Sequence, residues 1–191
     1  MAATVVRLFF LLPLAMSLTF FNLNPCEATR ARLDLIASTC KNSVFKSLCV
    51  HTLRSNAKSS NADLKGLASI TIENTLATAT TTSNHITILL NATPTATADL
   101  FTHQCLSDCS QSYVNAINQL KGSLVALGNG NYNDVSIALS VAMSAVELCE
   151  EGFSSDSGHV SVLKDTNSKF TQLCSNALAI TNNLAGPGFS V

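Results

Sequence analysis

Tryptophan is absent from the 191 residues, tyrosine occurs twice, and only 12% of the chain is charged against 47% hydrophobic. With so few charges, the solvated faces must be built mostly from serine, threonine and asparagine, which suits an extracellular protein that binds a partner. Eleven Lys and Arg stand against twelve Asp and Glu, a net charge of −1, which argues against general affinity for nucleic acid or a membrane surface. Strand-like alternation is never sustained long enough to build a sheet. Catalysis is also unprovided for: no nucleophile with a base, no paired carboxylates and no metal cluster occurs at a persuasive spacing, so neither a cofactor nor a metal is expected. His85 and His103 come nearest, with Cys105 close by, but no fourth ligand or fixed motif supports a metal site.

Long apolar runs are scarce as well. Leu8 to Phe21, preceded by Arg7, is shorter than the ~20 apolar residues of a spanning helix and is interrupted by Pro13. Cys26-Glu27-Ala28 follows, with small residues at alternate positions, so residues 1–28 read as a signal peptide cleaved after Ala28. Residues 29–191 form one domain, 29–60 a hairpin and 61–191 a bundle. Arg30, Arg32, Lys41, Lys46, Arg54, Lys58 and Lys65 make the start of this part basic. Asp99, Asp108, Asp134, Glu147, Glu150, Glu151 and Asp156 make the following region acidic, so the molecule is expected to be electrically two-ended.

The remainder has helical period, and we read it as all-α. Two short amphipathic pieces, near Leu33 to Lys41 and Val44 to Arg54, precede a linker and helix cap at Ser59-Ser60-Asn61. A first long helix is expected from about Ala62 to Leu90, where Thr78 to Thr82 are poor helix formers that packing must hold helical, a stretch open to a kink. A break at Asn91 to Pro94 leads to a second helix over about Thr95–Leu127. Gly128-Asn129-Gly130-Asn131 is a turn, because glycine and asparagine tolerate positive backbone angles. A third helix starts near Asn133 and is ended by Gly152 with Ser154 to Gly158. A fourth covers about Ser161–Leu184, with Val162 on its apolar face, and Gly186-Pro187-Gly188 closes the domain. Short turns between long helices imply an antiparallel up-down-up-down four-helix bundle with an N-terminal helical hairpin extension.

Six cysteines remain after cleavage, which fits the secretory route. Cys109 and Cys149 both lie about 20 residues from the turn at Gly130, roughly 30 Å along their helices at ~1.5 Å per residue, so they sit side by side. Cys40 and Cys49 are the other natural pair. Cys174 reflects to the level of about Leu124, some ~28 Å from Cys105, beyond disulfide reach. Two bridges and two buried thiols are therefore expected, with Cys105, one turn from Cys109, as a competitor for Cys149. Asn91-Ala92-Thr93 is the one glycosylation sequon, with Asn91 exposed between helices and Pro94 behind it.

Several stretches together resemble the plant invertase and pectin methylesterase inhibitor family. Leu35-Ile36-Ala37-Ser38-Thr39-Cys40 through Leu48-Cys49 is similar to its hairpin cysteines, with Lys46 where a proline is usual. Cys109 followed four residues on by Tyr113, then Leu139-Ser140-Val141-Ala142 leading to Cys149-Glu150-Glu151-Gly152-Phe153, and finally Leu173 to Ile180, match the rest. The resemblance implies a helical hairpin on a four-helix bundle, disulfides paired in sequence order, and stoichiometric inhibition without catalysis. It also implies a 1:1 complex with a plant pectin methylesterase or acid invertase, and a location in the apoplast, cell wall or vacuole. Some invertase-directed members carry Pro-Lys-Phe before the third helix; Gly130-Asn131-Tyr132 stands here instead. Cys149-Glu150-Glu151 looks more like the invertase branch, and Leu148 replaces the threonine common in the other. Pectin methylesterase is the preferred target, acid invertase the alternative, and a non-inhibitory structural or storage role the remoter one.

Inhibition is expected to work by occlusion. Tyr132, Asp134, Ser136, Ser140, Ser144 and Glu147 are the expected target-binding residues, spaced along an acidic helical face suited to a groove made for an anionic polymer. Glu150 and Glu151 read as a solvated helix end, and Phe45 as hairpin packing.

Overall fold

A computed structural model describes residues 25–92, 100–155 and 160–186. Six α-helices occur among them, with no strand: α1 (Pro25–Thr39), α2 (Lys46–Arg54), α3 (Leu64–Ala92), α4 (Leu100–Gly128), α5 (Tyr132–Ser154) and α6 (Lys164–Ala185), with a 3-10 turn at Ala57–Asn61. The chain divides into two units, Met1–Leu35 and Ile36–Val191. Residues 25–35 of the first are all within α1, and α2 to α6 belong to the second. The expected signal peptide falls outside the described residues up to Asn24, as do Thr93–Asp99, Asp156–His159 and the closing Pro187-Gly188.

Each long helix buries one stripe. On α4, Cys105, Cys109, Tyr113, Ala116, Leu120, Ser123 and Leu127 recur at steps of three and four, the spacing of one helix face. Val135, Leu139, Ala142, Val146, Cys149 and Phe153 do the same on α5, and Phe170, Leu173, Ala177 and Ile180 on α6. The stripes meet in a closed ring, in which α3 packs on α4, α4 on α5, α5 on α6, and α6 back on α3. The result is the antiparallel four-helix bundle, with α2 laid against α3 and α6.

Helix α3 carries no break at its threonines. Thr78, Thr80, Thr81 and Thr82 each donate a hydroxyl to the carbonyl four residues back, at 2.8–3.0 Å. Thr71 and Thr75 do so inside the core. This bond satisfies each hydroxyl within the helix, and at the buried Thr71, Thr75 and Thr82 it leaves the methyl for packing, which offsets the weak propensity of the run. The cap of α3 is Asp63, whose Oδ1 accepts the Gly66 N–H at 2.7 Å, and not Ser59-Ser60-Asn61, which form the 3-10 turn.

The reversal at 129–131 has Gly130 at φ +76, a conformation costly for any residue with a Cβ. Lys65 reaches across to donate its Nζ to the Gly128 carbonyl at 2.9 Å, satisfying one orphan acceptor at the end of α4. Asp134 occupies the first turn of α5 at this same end of the bundle. A basic residue and an acidic one thus share one end, and the expected two-ended charge separation is not clean. Gly152 lies within the last turn of α5 and does not stop it. Val162, expected on the buried face of the fourth helix, precedes α6 and is exposed.

Both expected bridges are formed, Cys40–Cys49 and Cys109–Cys149, with Cα atoms 5.8 and 4.7 Å apart. Cys105 and Cys174 are buried and in no disulfide. Cys40–Cys49 closes the connection between α1 and α2, and α6 clips that connection from below. Asn176, fully buried, accepts the Ser43 hydroxyl on Oδ1 and donates Nδ2 to the Phe45 carbonyl at 3.3 Å. Asn183 donates to the Thr39 carbonyl.

Candidate functional site

Helices α4 and α5 together present an outward face with a groove along it. Ile137, Val141, Ser144 and Leu148 stand on α5 at i, i+4, i+7 and i+11, one line along the side opposite the core stripe. Val114 and Val125, three turns apart, form the matching line on α4. All five aliphatic side chains are exposed, Val125 and Leu148 by 67% and 64%. Between the helices runs a groove of about 570 Å³, in which Gln111, Asn115 and Asn118 from α4 face Val141, Ser144 and Leu148 from α5. Asp108 is its one charged lining residue, and Gln104 donates to that carboxylate at 3.0 Å.

An apolar line bordered by amides and hydroxyls is the make-up of a protein-docking surface, because the aliphatics supply area while uncharged polar groups are cheap to desolvate. It is a poor make-up for chemistry. Among the described residues no group of three His, Cys, Asp or Glu is placed to hold a metal ion.

The six expected contact residues do not gather on this face. Ser144 lines the groove. Tyr132 is the first residue of α5, half-buried, in a shallow recess with Asp134 and Ala185 beside the Gly130 turn. Ser140 is half-buried. Glu147 is exposed on the other flank of α5, toward α6. Ser136 must be withdrawn: it is fully buried and donates to Asn182 Oδ1 of α6 at 3.4 Å, so no partner can touch it. At 100° per residue, Ser136 turns toward α6 while Ile137 turns outward. The acidic face also dissolves, since Asp134 and Glu147 sit thirteen residues apart on different flanks. The reading overlooked Val114, Val141 and Leu148. Their signal was present, as aliphatics at helical spacing on the side that should have been polar.

Beneath the disulfide lies a polar network that sets the helix register. Tyr113 of α4 donates its hydroxyl to Asn167 Oδ1 of α6 at 2.8 Å, and its ring meets Phe170 edge-on at 5.8 Å. Asn167 Nδ2 and the Ser161 hydroxyl both donate to Glu150 Oε2, each at 2.8 Å. Glu150 is therefore a half-buried acceptor that joins α5 to the start of α6, and not a solvated terminus. Burial pushes the Tyr113 phenol well above its ordinary range, opposed by a Thr82 hydrogen bond and reinforced by Cys174 and Glu150, so the group stays a neutral donor. Burial, with Glu147 adding, likewise pushes the Cys174 thiol up and keeps it protonated, a poor nucleophile.

Tyr113→Phe tests this network. The variant keeps the ring but strands a buried amide oxygen, and we expect a loss of about 1–3 kcal/mol in urea unfolding with helix content unchanged. A loss indistinguishable from zero would mean that water replaces the hydroxyl.

Known proteins resemble the chain in sequence and in fold. Residues 34–180 match the family described as plant invertase/pectin methylesterase inhibitor. A pectinesterase inhibitor from Actinidia deliciosa is 31% identical over 159 residues, 83% of this chain and 84% of that protein. An Arabidopsis thaliana protein named cell wall / vacuolar inhibitor of fructosidase 2 is 32% identical over 140 residues, 73% of this chain and 76% of that one. Among solved structures, a mutant form of a pectin methylesterase inhibitor from Arabidopsis superposes with a TM-score of 0.65 at 22% identity, covering 77% of this chain and 95% of the other. The last shows a shared helical fold.

Proposed function

Because the chain belongs to the plant invertase/pectin methylesterase inhibitor family, we propose that it blocks a pectin methylesterase by laying the α4–α5 face over the enzyme's substrate groove. The complex is 1:1, and the protein performs no chemistry of its own. The line Ile137, Val141 and Leu148 beside Gln111, Asn115 and Asn118 carries this reading. It offers buried apolar contact at the centre and neutral hydrogen-bonding groups at the rim, the arrangement that holds protein surfaces together while excluding water.

Two features favour pectin methylesterase over an acid invertase. The Gly130-Asn131-Tyr132 turn has no cation to send into an active site, and Tyr132 is half-buried against its own helix end. Glu150, part of the stretch that leaned toward invertase, is taken up by Ser161 and Asn167 and is explained by folding alone.

The reading also includes export: residues 1–28 are removed and the mature protein works in the cell wall. Asn91, exposed in the last turn of α3, carries the glycan. No helix among the described residues is long and apolar enough to cross a membrane. Titrating the mature protein against one plant pectin methylesterase and one acid invertase tests the proposal. Esterase activity is expected to fall linearly and reach its floor at an equimolar ratio, with invertase untouched. Full esterase activity at several-fold excess of protein would overturn it.

A further inference from the structure

On the other flank of α5 a second recess, of about 410 Å³, opens between α5, α6 and the connection that precedes α2. Phe45 forms one wall, Val146 and Asn167 are buried in its lining, and the carboxylates of Glu147 and Glu150 stand on one side. We propose that this recess accepts an arginine side chain from the surface of the inhibited enzyme, which makes Glu147 and Phe45 determinants of which enzyme is bound. This rests on the docking function proposed above and supplies the partner chemistry for its second flank.

The chemistry follows from what surrounds the opening. Glu147 and Glu150 are three residues apart, so they rise from neighbouring turns of one helix face. Both side-chain hydrogen bonds made to the Glu150 carboxylate fall on Oε2. Glu147 forms no ion pair, since the one salt bridge among the described residues is Lys58–Glu73 on α3. Lys164 also lines the recess but is paired with neither carboxylate, so two negative groups and one positive leave it net negative. Phe45 supplies an aromatic wall held in place by the Cys40–Cys49 bridge and by Asn176. A negative, partly enclosed site with an aromatic wall suits a flat, weakly hydrated cation whose stem is apolar. Guanidinium fits on each count, because it stacks on rings and forks onto carboxylates, whereas an ammonium keeps its water.

Position makes the recess reachable by the same partner. The α4–α5 groove and this recess flank a single helix, and Leu148 and Glu147, which line one each, are adjacent residues only about 100° apart around it. An enzyme seated on α5 covers both.

The test has two arms. In the first, Glu147→Gln and Phe45→Ala are each measured against the enzyme that the wild type inhibits, and each is expected to weaken binding about tenfold, mostly through faster dissociation. Glu150 is left alone because it holds α6. Unchanged affinity in both variants, with the wild type inhibiting normally, would overturn the proposal. In the second arm, N-acetyl-arginine amide is titrated into the isotope-labelled protein. Amide signals of Phe45, Glu147 and Gln172 are expected to move, less with the lysine analogue, not with methyl galactoside, and not in Glu147→Gln. Shifts with the galactoside instead, or none with arginine, would overturn the proposal. Should the wild type inhibit neither enzyme, the docking function falls and this second arm alone decides what the recess binds.

Discussion

Replacing Cys109 and Cys149 together by alanine is expected to lower the unfolding free energy by about 4 kcal/mol, the largest effect of any change considered for stability. The bridge joins residues 40 apart in sequence, and in the chain-entropy model a loop of that size holds roughly this much of the unfolded chain's freedom in check. The shorter Cys40–Cys49 loop, spanning nine residues, is worth about 2.5 kcal/mol on the same footing. The longer bridge also sits beside Asn167, which donates toward Cys149 Sγ at 3.5 Å, so its loss loosens the Tyr113–Asn167–Glu150 network as well. For a domain of this size ~4 kcal/mol corresponds to a fall of about 8–16 °C in Tm, read by circular dichroism under non-reducing conditions. A fall under about 2 °C would mean that helix packing alone holds α4 to α5.

The largest effect on function is expected from one buried charge at the centre of the docking face. Leu148→Asp or Val141→Asp places a carboxylate where an enzyme surface must be desolvated against the aliphatic line. An unpaired charge buried in an interface costs about 2–5 kcal/mol, which is roughly 30-fold to several-thousand-fold in the inhibition constant. Both side chains are exposed in the free protein, so stability is expected to change by no more than about 0.5 kcal/mol. That contrast separates an interface from a core. If both variants inhibit as tightly as the wild type while folding normally, the α4–α5 face is not what meets the enzyme. Ser136→Ala is the useful companion: buried between α5 and α6, it is expected to touch stability slightly and binding not at all.

Much of the architecture was legible because helical period is a property of the chain itself. The stripe from Cys105 to Leu127 has to face a core whatever its neighbours are, and the glycine and asparagine turn has to reverse the chain. Two helices joined by a tight turn are then in register by arithmetic, which is how Cys109 and Cys149 could be paired before any coordinate was known. Local chemistry was less visible. The threonine run was readable as helix only by invoking packing, which propensity scales do not include and which holds Thr71, Thr75 and Thr82 in the core. Asp63 was passed over as a cap in favour of the serines just before it, since either can fill the role and only backbone geometry decides.

Helicity, the level placement of Cys109 and Cys149 and the motifs of an inhibitor family are all legible in the order of residues. Those are matters of period, spacing and residue identity along one chain. Which flank of α5 each side chain serves is settled only once the helices are packed together. Ser136 and Ile137 are neighbours, yet one is sealed against Asn182 and the other is open to a partner, while Glu150, two residues from exposed Leu148, binds α6. The reason is rotational: successive helix positions turn by about 100°, and which angle is outside depends on where the neighbouring helices stand, which no single helix encodes.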